Sequence, residues 1–171
     1  MDIRTSISHP LGITFCPGKH ASSMYGYVWK RDLKRDLDEI ERFGAQVVLT
    51  LIEDQEFEEL NVTGLGDAVK ARGIAWYHLP IKDVHVPDER FESAWTSVGA
   101  EIRRLLTDGG RVVVHCKGGL GRAGTVAARI LVETGTPPAE AIRQVRAARN
   151  KTIETASQER YVLGLATGAP G

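Results

Sequence analysis

The chain has 171 residues, 42% of them hydrophobic and 26% charged, which is the composition of one globular domain with a single core. Its 22 lysines and arginines balance its 22 aspartates and glutamates, so the total charge gives no reason to expect a nucleic acid or an acidic membrane surface as a partner. Two cysteines are too few for a disulfide framework, and no apolar run fits a membrane span or a signal peptide. We therefore expect a single cytoplasmic domain over residues 1–171, with residues 1–10 as a tail.

In the first half of the chain, short apolar strands alternate with helices. Apolar residues at helical spacing followed by Gly44 indicate a helix that ends there, and the continuous β-branched run 46–53 is typical of a strand buried on both faces. In chain order, the predicted elements are a strand at 13–15, a helix at 32–43, a strand at 46–53, short helices near 54–60 and 65–72, and a strand at 73–81.

The second half continues this alternation. In chain order, the predicted elements are a helix at 88–107, a strand at 111–115, a helix from 123 that Gly135 ends, a helix opened by Pro137 and Pro138, and a last helix near 155–165. Strands that alternate with helices predict an α/β domain with a central, mostly parallel sheet flanked by helices. Ligands of such sheets bind at the carboxyl ends of the strands, so we expect the loops after 73–81 and 111–115 to meet.

The segment HCKGGLGRAGT, residues 115–125, follows a predicted strand and opens a helix. Gly119, Gly121 and Gly124 match the dinucleotide-binding pattern, but no second strand with an acidic residue completes that unit, which argues against it. A passive phosphate site at the helix N-terminus explains the glycines. It leaves the cysteine and the arginine of the loop unexplained.

A catalytic interpretation explains both residues. Cys116 and Arg122 enclose five residues, and a loop of this length (the phosphate loop, residues 116–122) wraps one tetrahedral phosphate. The positive end of the following helix stabilises a thiolate at Cys116, placed for in-line attack on a bound monoester. Arg122 offers paired donors to the phosphate oxygens, where charge spreads in the transition state. The predicted substrate-binding residues are Lys117, Gly118, Gly119, Leu120, Gly121 and Arg122, through their backbone N–H groups.

Covalent attack also requires a proton donor for the leaving oxygen. The other strand-end loop, KDVHVPD (the acid loop, residues 82–88), offers Asp83 and Asp88. Asp88 precedes the long predicted helix and is interpreted as its N-cap. Asp83 is therefore the predicted general acid, which then serves as base for the hydrolytic water, and a turn residue is the alternative.

These motifs resemble those of the cysteine-dependent protein tyrosine phosphatase superfamily. Residues 115–122, HCKGGLGR, are the HCxxGxxR signature of its dual-specificity branch, and the chain over roughly 13–165 is similar to the kinase-associated phosphatases, the cyclin-dependent kinase inhibitor 3 family. In residues 78–88 the family's general acid falls on Asp83. In residues 153–161 its water-positioning glutamine falls on Gln158, for which an exposed helix position is the alternative.

The resemblance implies the phosphatase fold, a phosphocysteine intermediate, and no metal or other cofactor. It also implies a phosphorylated protein or peptide as substrate, carrying phosphotyrosine or phosphoserine and phosphothreonine, with phosphate, sulfate or vanadate as loop ligands. His115 is expected to shape the loop through hydrogen bonds rather than to act as a base. Cys16 is expected to be a buried structural thiol, with a redox partnership with Cys116 as the alternative.

Ala123 departs from the family pattern, because many members carry Ser or Thr directly after the arginine. That hydroxyl helps the thiolate to leave in the second step. Phosphatases of regenerating liver are similar to this chain in having alanine there. We therefore expect the breakdown of the phosphocysteine to limit turnover.

Other functions stay open. Lys117 in the phosphate loop and His85 in the acid loop are similar to residues of the phosphatase and tensin homologue, so a phosphoinositide or inositol phosphate is an alternative substrate. Against it, this chain has Leu120 where that family has a further lysine. A catalytically inactive phosphate-binding module and a rhodanese-like sulfur transferase are further alternatives. The arginine and the acid loop together favour hydrolysis.

Overall fold

The computed structural model of the protein describes residues 3–5, 10–22 and 25–166. Within them the helices are α1 (Leu33–Phe43), α2 (Glu56–Glu59), α3 (Leu65–Lys70), α4 (Glu89–Thr107), α5 (Gly121–Glu133), α6 (Pro138–Ala148) and α7 (Ala156–Leu163). The strands are β1 (Arg4–Thr5), β2 (Leu11–Thr14), β3 (His20–Ser22), β4 (Val28–Lys30), β5 (Val47–Thr50), β6 (Ala75–His78) and β7 (Val112–His115). No helix in these stretches is long and apolar enough to cross a bilayer.

Five strands form the central sheet in the order β1-β2-β7-β5-β6, and β1 alone runs antiparallel to its neighbour. The predicted class, an α/β domain with a central and mostly parallel sheet flanked by helices, is confirmed. The central strand β7 is buried on both faces, because Val112 and Val114 pack in one apolar layer and Val113 in the other. Strands in such positions consist of continuous β-branched runs, as the sequence indicated.

The two layers place the helices on opposite faces of the sheet. Helices α4, α5, α6 and α7 contribute to the first layer, and α1, α2 and α3 contribute to the second. Helix α5 lies at the centre of the first layer, and each of its residues from Gly121 to Val132 is buried. The phosphate loop therefore leads from the central strand into the most enclosed helix of the domain.

Capping residues begin and end the helices, and two of them, Gly44 and Asp88, were predicted from the sequence. Asp32 caps α1 by accepting a hydrogen bond from the Arg35 N–H, and Gly44 ends that helix with a φ of 84°. Asp88 accepts from the Phe91 N–H at 3.0 Å, which confirms its prediction as the N-cap of α4.

Three short strands were missed. β3 and β4 form a separate two-stranded sheet, and β4 is exposed at all three residues, so it has no buried face that would produce an alternating pattern. β1 lies within the expected tail, where it pairs with β2, while residues 1–2 and 6–9 of that tail lie outside the described residues. The predicted strands 46–53 and 73–81 are shorter in the structure, because their last residues already belong to loops.

Candidate active site

The loops that leave β7 and β6 meet at the carboxyl edge of the sheet, as expected. Nη2 of Arg122 in the phosphate loop lies 3.1 Å from Oδ1 of Asp83 in the acid loop. Between the loops is an open cavity of about 310 Å³. Its lining residues are Lys19, Ala21, Ser22, Trp29, Asp83, Val84, Cys116, Lys117, Gly118, Leu120, Arg122 and Glu154.

The phosphate loop is held by its carbonyl groups. These hydrogen bonds run from Cys16 N and Lys19 Nζ to Lys117 O at 3.3 and 3.1 Å, from Arg149 Nη2 to Gly118 O at 3.1 Å, and from Gly124 N and Ile153 N to Leu120 O at 3.0 and 3.3 Å. Because these carbonyls face the surrounding protein, N–H groups of the curled loop can face its centre and bind an anion there.

Gly119 satisfies two geometric demands of this loop. Its φ of 71° lies in the left-handed region, and a Cβ there would lie 2.5 Å from the carbonyl oxygen of Thr14. Only glycine meets both conditions, and the loop passes directly against the end of β2 as a result. The N–H of Gly119 also donates to Sγ of Cys116 at 3.2 Å.

Cys116 is 3% exposed and lies at the base of the cavity. Its sulfur accepts the N–H of Gly119, and the phosphate loop leads into the N-terminus of α5. Both the N–H group and the positive end of a thirteen-residue helix favour negative charge at this position.

Arg122 is almost wholly buried and nearly saturated with partners. Its guanidinium donates to both oxygens of Glu56, at 2.6 and 3.0 Å, and to the carbonyl of Ile81 at 3.1 Å. Burial alone would lower the pKa of Arg122, but the hydrogen bonds that it donates to Glu56 and the nearby negative charges raise it, so the group stays charged. Its Nε is buried and has no hydrogen-bond partner among the described residues.

Glu56 is a site residue that the sequence analysis missed. It opens α2 and is 4% exposed, and its Oε2 also accepts from the Glu53 N–H at 2.7 Å. Burial raises the pKa of Glu56, but the hydrogen bonds from Arg122 and Glu53 outweigh that effect and leave it below its ordinary value. Within the acidic segment EDQEFEE, no sequence signal singles this residue out.

Lys19 is a second missed residue. Its side chain is mostly buried, and its ammonium group lies over the rings of Phe15 and Trp29, 5.2 and 4.8 Å from their centroids. Burial lowers the pKa of Lys19 below its ordinary value. The side-chain nitrogen of Lys19 thus lies beside the phosphate loop, where it binds the Lys117 carbonyl.

The acid loop is held by the ion pair of Asp83 with Arg122 and by hydrogen bonds to residues outside the phosphate loop. Asp83 is half-exposed, its backbone N–H donates to Oε2 of Glu53 at 3.3 Å, and its Oδ1 accepts from the Val84 N–H at 3.0 Å. Gln158 donates through Nε2 to the carbonyl of His85 at 3.2 Å. The loop is therefore closed over the edge of the cavity.

Gln158 is wholly buried, so the alternative of an exposed helix position is wrong. Its Oε1 accepts from the N–H groups of Glu154 and Thr155, which forms a capping box at the start of α7. A Cβ on Gly121 would lie 3.0 Å from its Nε2. The amide thus lies against the phosphate loop and the acid loop together.

Cys16 and Thr125 have their polar atoms engaged in the fold. Cys16 is wholly buried, as expected for a structural thiol, and burial strongly raises its pKa, so it stays a thiol. The hydroxyl of Thr125 donates to the carbonyl of Gly121 at 2.7 Å. Ala123 is buried and has no hydroxyl of its own.

His115 shapes the loop from below, as its predicted role requires. Its ring is fully buried, with Nε2 2.7 Å from Thr50 Oγ1 and Nδ1 3.3 Å from the carbonyl of Cys116. A carbonyl only accepts, so Nδ1 carries the proton and Nε2 accepts from Thr50. Trp76 Nε1 donates to the same hydroxyl at 2.8 Å and completes the chain. Burial lowers the pKa of His115 from 6.5 to about 4.

This shift predicts a loss of stability in mild acid. The unfolded chain takes up a proton at His115 below pH 6.5, whereas the folded chain does so only near pH 4. The free energy of unfolding is therefore highest above pH 6.5 and falls as the pH drops from 6.5 to 4. Between pH 7 and pH 5, protonation of His115 should lower the free energy of unfolding by about 2 kcal/mol. Urea unfolding of wild type and His115→Asn at both pH values should show a flatter pH dependence for the variant, and equal slopes would contradict this.

The comparisons with known proteins agree with this site. The family model described as "Swiss Army Knife protein, DSP-PTPase phosphatase domain" matches residues 28–162. The chain is 30% identical to cyclin-dependent kinase inhibitor 3 of Rattus norvegicus over 162 residues, which cover 93% of this chain and 73% of the relative. The human protein of that name is 28% identical over the same shares.

The chain is also similar to solved structures of phosphatases. The chain superposes on kinase-associated phosphatase, in a form with its catalytic-site cysteine replaced by serine, with a TM-score of 0.75 and 28% identity over 89% of this chain and 83% of that one. Tk-PTP in its active form gives a TM-score of 0.67 and 28% identity over 92% and 94%.

The match of the family model over most of the chain defines the class, and the chain belongs to the dual-specificity branch of the protein tyrosine phosphatases. Within that branch it is similar to the kinase-associated phosphatases. The protein is accordingly a cysteine-dependent protein phosphatase, a hydrolase of phosphate monoesters, and its substrates are phosphorylated.

Proposed function

We propose that Cys116 is the nucleophile of this phosphatase, Arg122 its phosphate clamp and Asp83 its general acid and base. The observation that carries the proposal is that one cavity brings these three residues together from two loops. The N–H groups of the phosphate loop bind the phosphate oxygens, and vanadate and sulfate are expected to bind there as phosphate does. No cofactor takes part in this scheme.

In the first step the Cys116 thiolate attacks phosphorus opposite the leaving oxygen. An S–P bond forms as the P–O bond to the leaving group breaks, and protonated Asp83 gives its proton to that oxygen. Arg122 and the loop N–H groups bind the three equatorial oxygens, on which negative charge spreads. Phosphate binding also supplies an anionic partner for Arg122, which releases the Asp83 carboxylate from its ion pair so that it takes up from solvent the proton that it then donates.

In the second step water hydrolyses the phosphocysteine. Asp83, now a carboxylate, takes a proton from the water as its oxygen attacks phosphorus, the S–P bond breaks, and the Cys116 thiolate leaves. Gln158 is the residue proposed to orient this water. Its buried amide lies between Gly121 and the carbonyl of His85, which supports that assignment.

The role of Asp83 predicts a dependence on the leaving group. In Asp83→Asn, kcat/KM for phenyl phosphate should fall roughly 10²-fold or more, because a poor leaving group needs the proton. The loss for p-nitrophenyl phosphate should be much smaller. Asp88→Asn is the matched control, since asparagine also caps a helix, and it should keep the wild-type ratio. Equal losses of kcat/KM on both esters in Asp83→Asn would show that Asp83 is not the general acid.

Ala123 predicts slow breakdown of the intermediate. We expect rapid-mixing traces with p-nitrophenyl phosphate to show a burst of nitrophenol, and Ala123→Ser to raise the steady-state rate severalfold by supplying a hydroxyl for the leaving thiolate. The hydroxyl of Thr125, the alternative source, donates to the carbonyl of Gly121, which supports the need for an added hydroxyl. Ala127→Ser, one turn further along α5, controls for a buried hydroxyl. A linear trace with no effect of Ala123→Ser would mean that an earlier step limits turnover.

We also propose that residues 1–171 act as one domain in the cytoplasm. The two cysteines are free, which supports a reducing compartment. The phosphoinositide alternative receives no support from His85, whose ring binds the backbone carbonyl of Asp83 at 2.6 Å. The inactive-module alternative is disfavoured by the joint presence of the nucleophile, clamp and acid.

A further inference from the structure

Two exposed apolar side chains, Trp29 and Val84, line the catalytic cavity, and three more lie close to Trp29 in the sequence. Among the described residues, six large hydrophobic side chains are exposed, and one of them, Leu163, lies on α7 outside the cavity lining. The other five form what we call the apolar rim: Tyr25, Tyr27, Val28 and Trp29 of the segment containing β4, and Val84 of the acid loop. An exposed cluster of this kind marks an interaction surface more often than scattered single residues do.

The apolar rim is continuous with the reaction site. Trp29 and Val84 both line the cavity that contains Cys116, and they belong to different segments of its wall. A phosphorylated residue that reaches the sulfur therefore enters a cavity whose wall includes both side chains. The groups next to that residue in its own chain come to lie on the rim.

The β3–β4 hairpin is fixed to the phosphate loop. Trp29 packs at 4.8 Å from the ammonium group of Lys19, whose Nζ binds the carbonyl of Lys117. The backbone N–H of Arg31 donates to the Lys19 carbonyl at 3.1 Å, and that of His20 donates to Leu60 at 2.8 Å. The rim is therefore held in a defined position beside the site, as a docking surface requires.

The charge of the hairpin suits a phosphorylated partner. Residues 20–30 contain no aspartate or glutamate and end in the exposed Lys30, and Lys19 and Lys117 lie beside them in the cavity wall. Nothing on this hairpin repels a dianion on its way to the loop, whereas its aromatic faces offer apolar contact.

We propose that the apolar rim is a docking surface for the substrate protein, which receives an aromatic or large aliphatic side chain adjacent to the phosphorylated residue. This inference rests on the proposed function, because the occupant of the cavity is taken to be a phosphoresidue of a protein. The rim thereby sets which phosphorylated segments are hydrolysed fastest, through contacts made outside the phosphate loop.

The test compares two phosphotyrosine peptides of equal length and charge, one flanked by leucine and phenylalanine and the other by serine and glycine. Wild type should favour the first in kcat/KM by roughly tenfold, the effect of one well-buried apolar contact. The double variant Tyr27→Ser, Val28→Ser and the single variant Trp29→Ala should each bring this ratio towards one. Leu163→Ser removes an exposed apolar residue elsewhere and should keep the wild-type ratio.

Each other outcome decides against the proposal. A wild-type ratio near one, or a ratio unchanged in both rim variants, overturns docking. Rim variants that lose sedimentation with phosphatidylserine vesicles but keep the peptide ratio would assign the rim to a membrane instead. Hydrolysis of p-nitrophenyl phosphate by wild type in EDTA tests the proposed function separately, since its failure refutes the function, whereas normal hydrolysis with a flat peptide ratio refutes docking alone.

Discussion

Replacing Cys116 by serine should lower the turnover of p-nitrophenyl phosphate by roughly 10⁴-fold or more, since nucleophile removal has effects of this order in covalent hydrolases. A serine hydroxyl at this position stays protonated, so no covalent intermediate forms. The N–H of Gly119, which donates to Sγ, can equally donate to an oxygen. The phosphate loop should therefore keep its shape, and the variant should still bind a phosphotyrosine peptide, measured by fluorescence polarisation.

The natural control is the other cysteine. Cys16 is buried and its Sγ donates to the neighbouring Pro17 carbonyl at 3.7 Å, so Cys16→Ala removes a thiol without removing a proposed reactant. It should retain turnover in the presence of EDTA and a reducing agent. Equal activities of wild type and Cys116→Ser would show that the sulfur is not the nucleophile. Loss of peptide binding by Cys116→Ser would show that the loop does not survive the substitution.

Replacing Glu56 by glutamine should produce the largest loss of stability among the site substitutions. The Glu56 carboxylate receives two hydrogen bonds from the buried guanidinium of Arg122, and the neutral amide leaves that charge without its main partner. Breaking a buried ion pair on one side costs about 3–5 kcal/mol. The half-exposed Asp83 is then the remaining carboxylate partner of Arg122, and its ion pair competes with substrate. We expect kcat/KM to fall at least tenfold.

Ligand binding distinguishes this effect from general damage to the fold. In Glu56→Gln the Asp83 carboxylate competes with vanadate for Arg122, so the same vanadate concentration should raise the urea midpoint of the variant less than that of wild type. Glu58→Gln changes an exposed carboxylate of the same helix and should behave as wild type in both measurements. Equal shifts of the urea midpoint by vanadate in Glu56→Gln and wild type would show that Glu56 does not support anion binding by Arg122.

The sequence predicted those parts of the site that depend on local chain geometry. The spacing of Cys116 and Arg122, with Gly119 between them, is a property of one loop, and the strand before it and the helix after it are visible as patterns. The meeting with Asp83 required one further principle, that parallel strands present their carboxyl ends at a common edge. Neither inference required knowledge of side-chain contacts.

The residues that were missed act across long sequence separations. Glu56 reaches Arg122 over 66 positions, and Lys19 reaches Lys117 over 98. Each sits in a polar segment where its neighbours look equally suitable, so only the packed fold selects it. The hairpin of β3 and β4 was not predicted for another reason. Because β4 is exposed at all three residues, it lacks the buried face from which a strand is predicted.

The burial of α5 has a consequence for motion at the catalytic centre. A helix enclosed from Gly121 to Val132 has no route to local fraying at its first turn, so its amide hydrogens should exchange with solvent chiefly when the whole domain unfolds. The phosphate loop is joined to that turn. Its geometry should therefore persist as long as the domain stays folded. The backbone amides of the acid loop, with exposed residues from Lys82 to His85, should instead exchange through local opening.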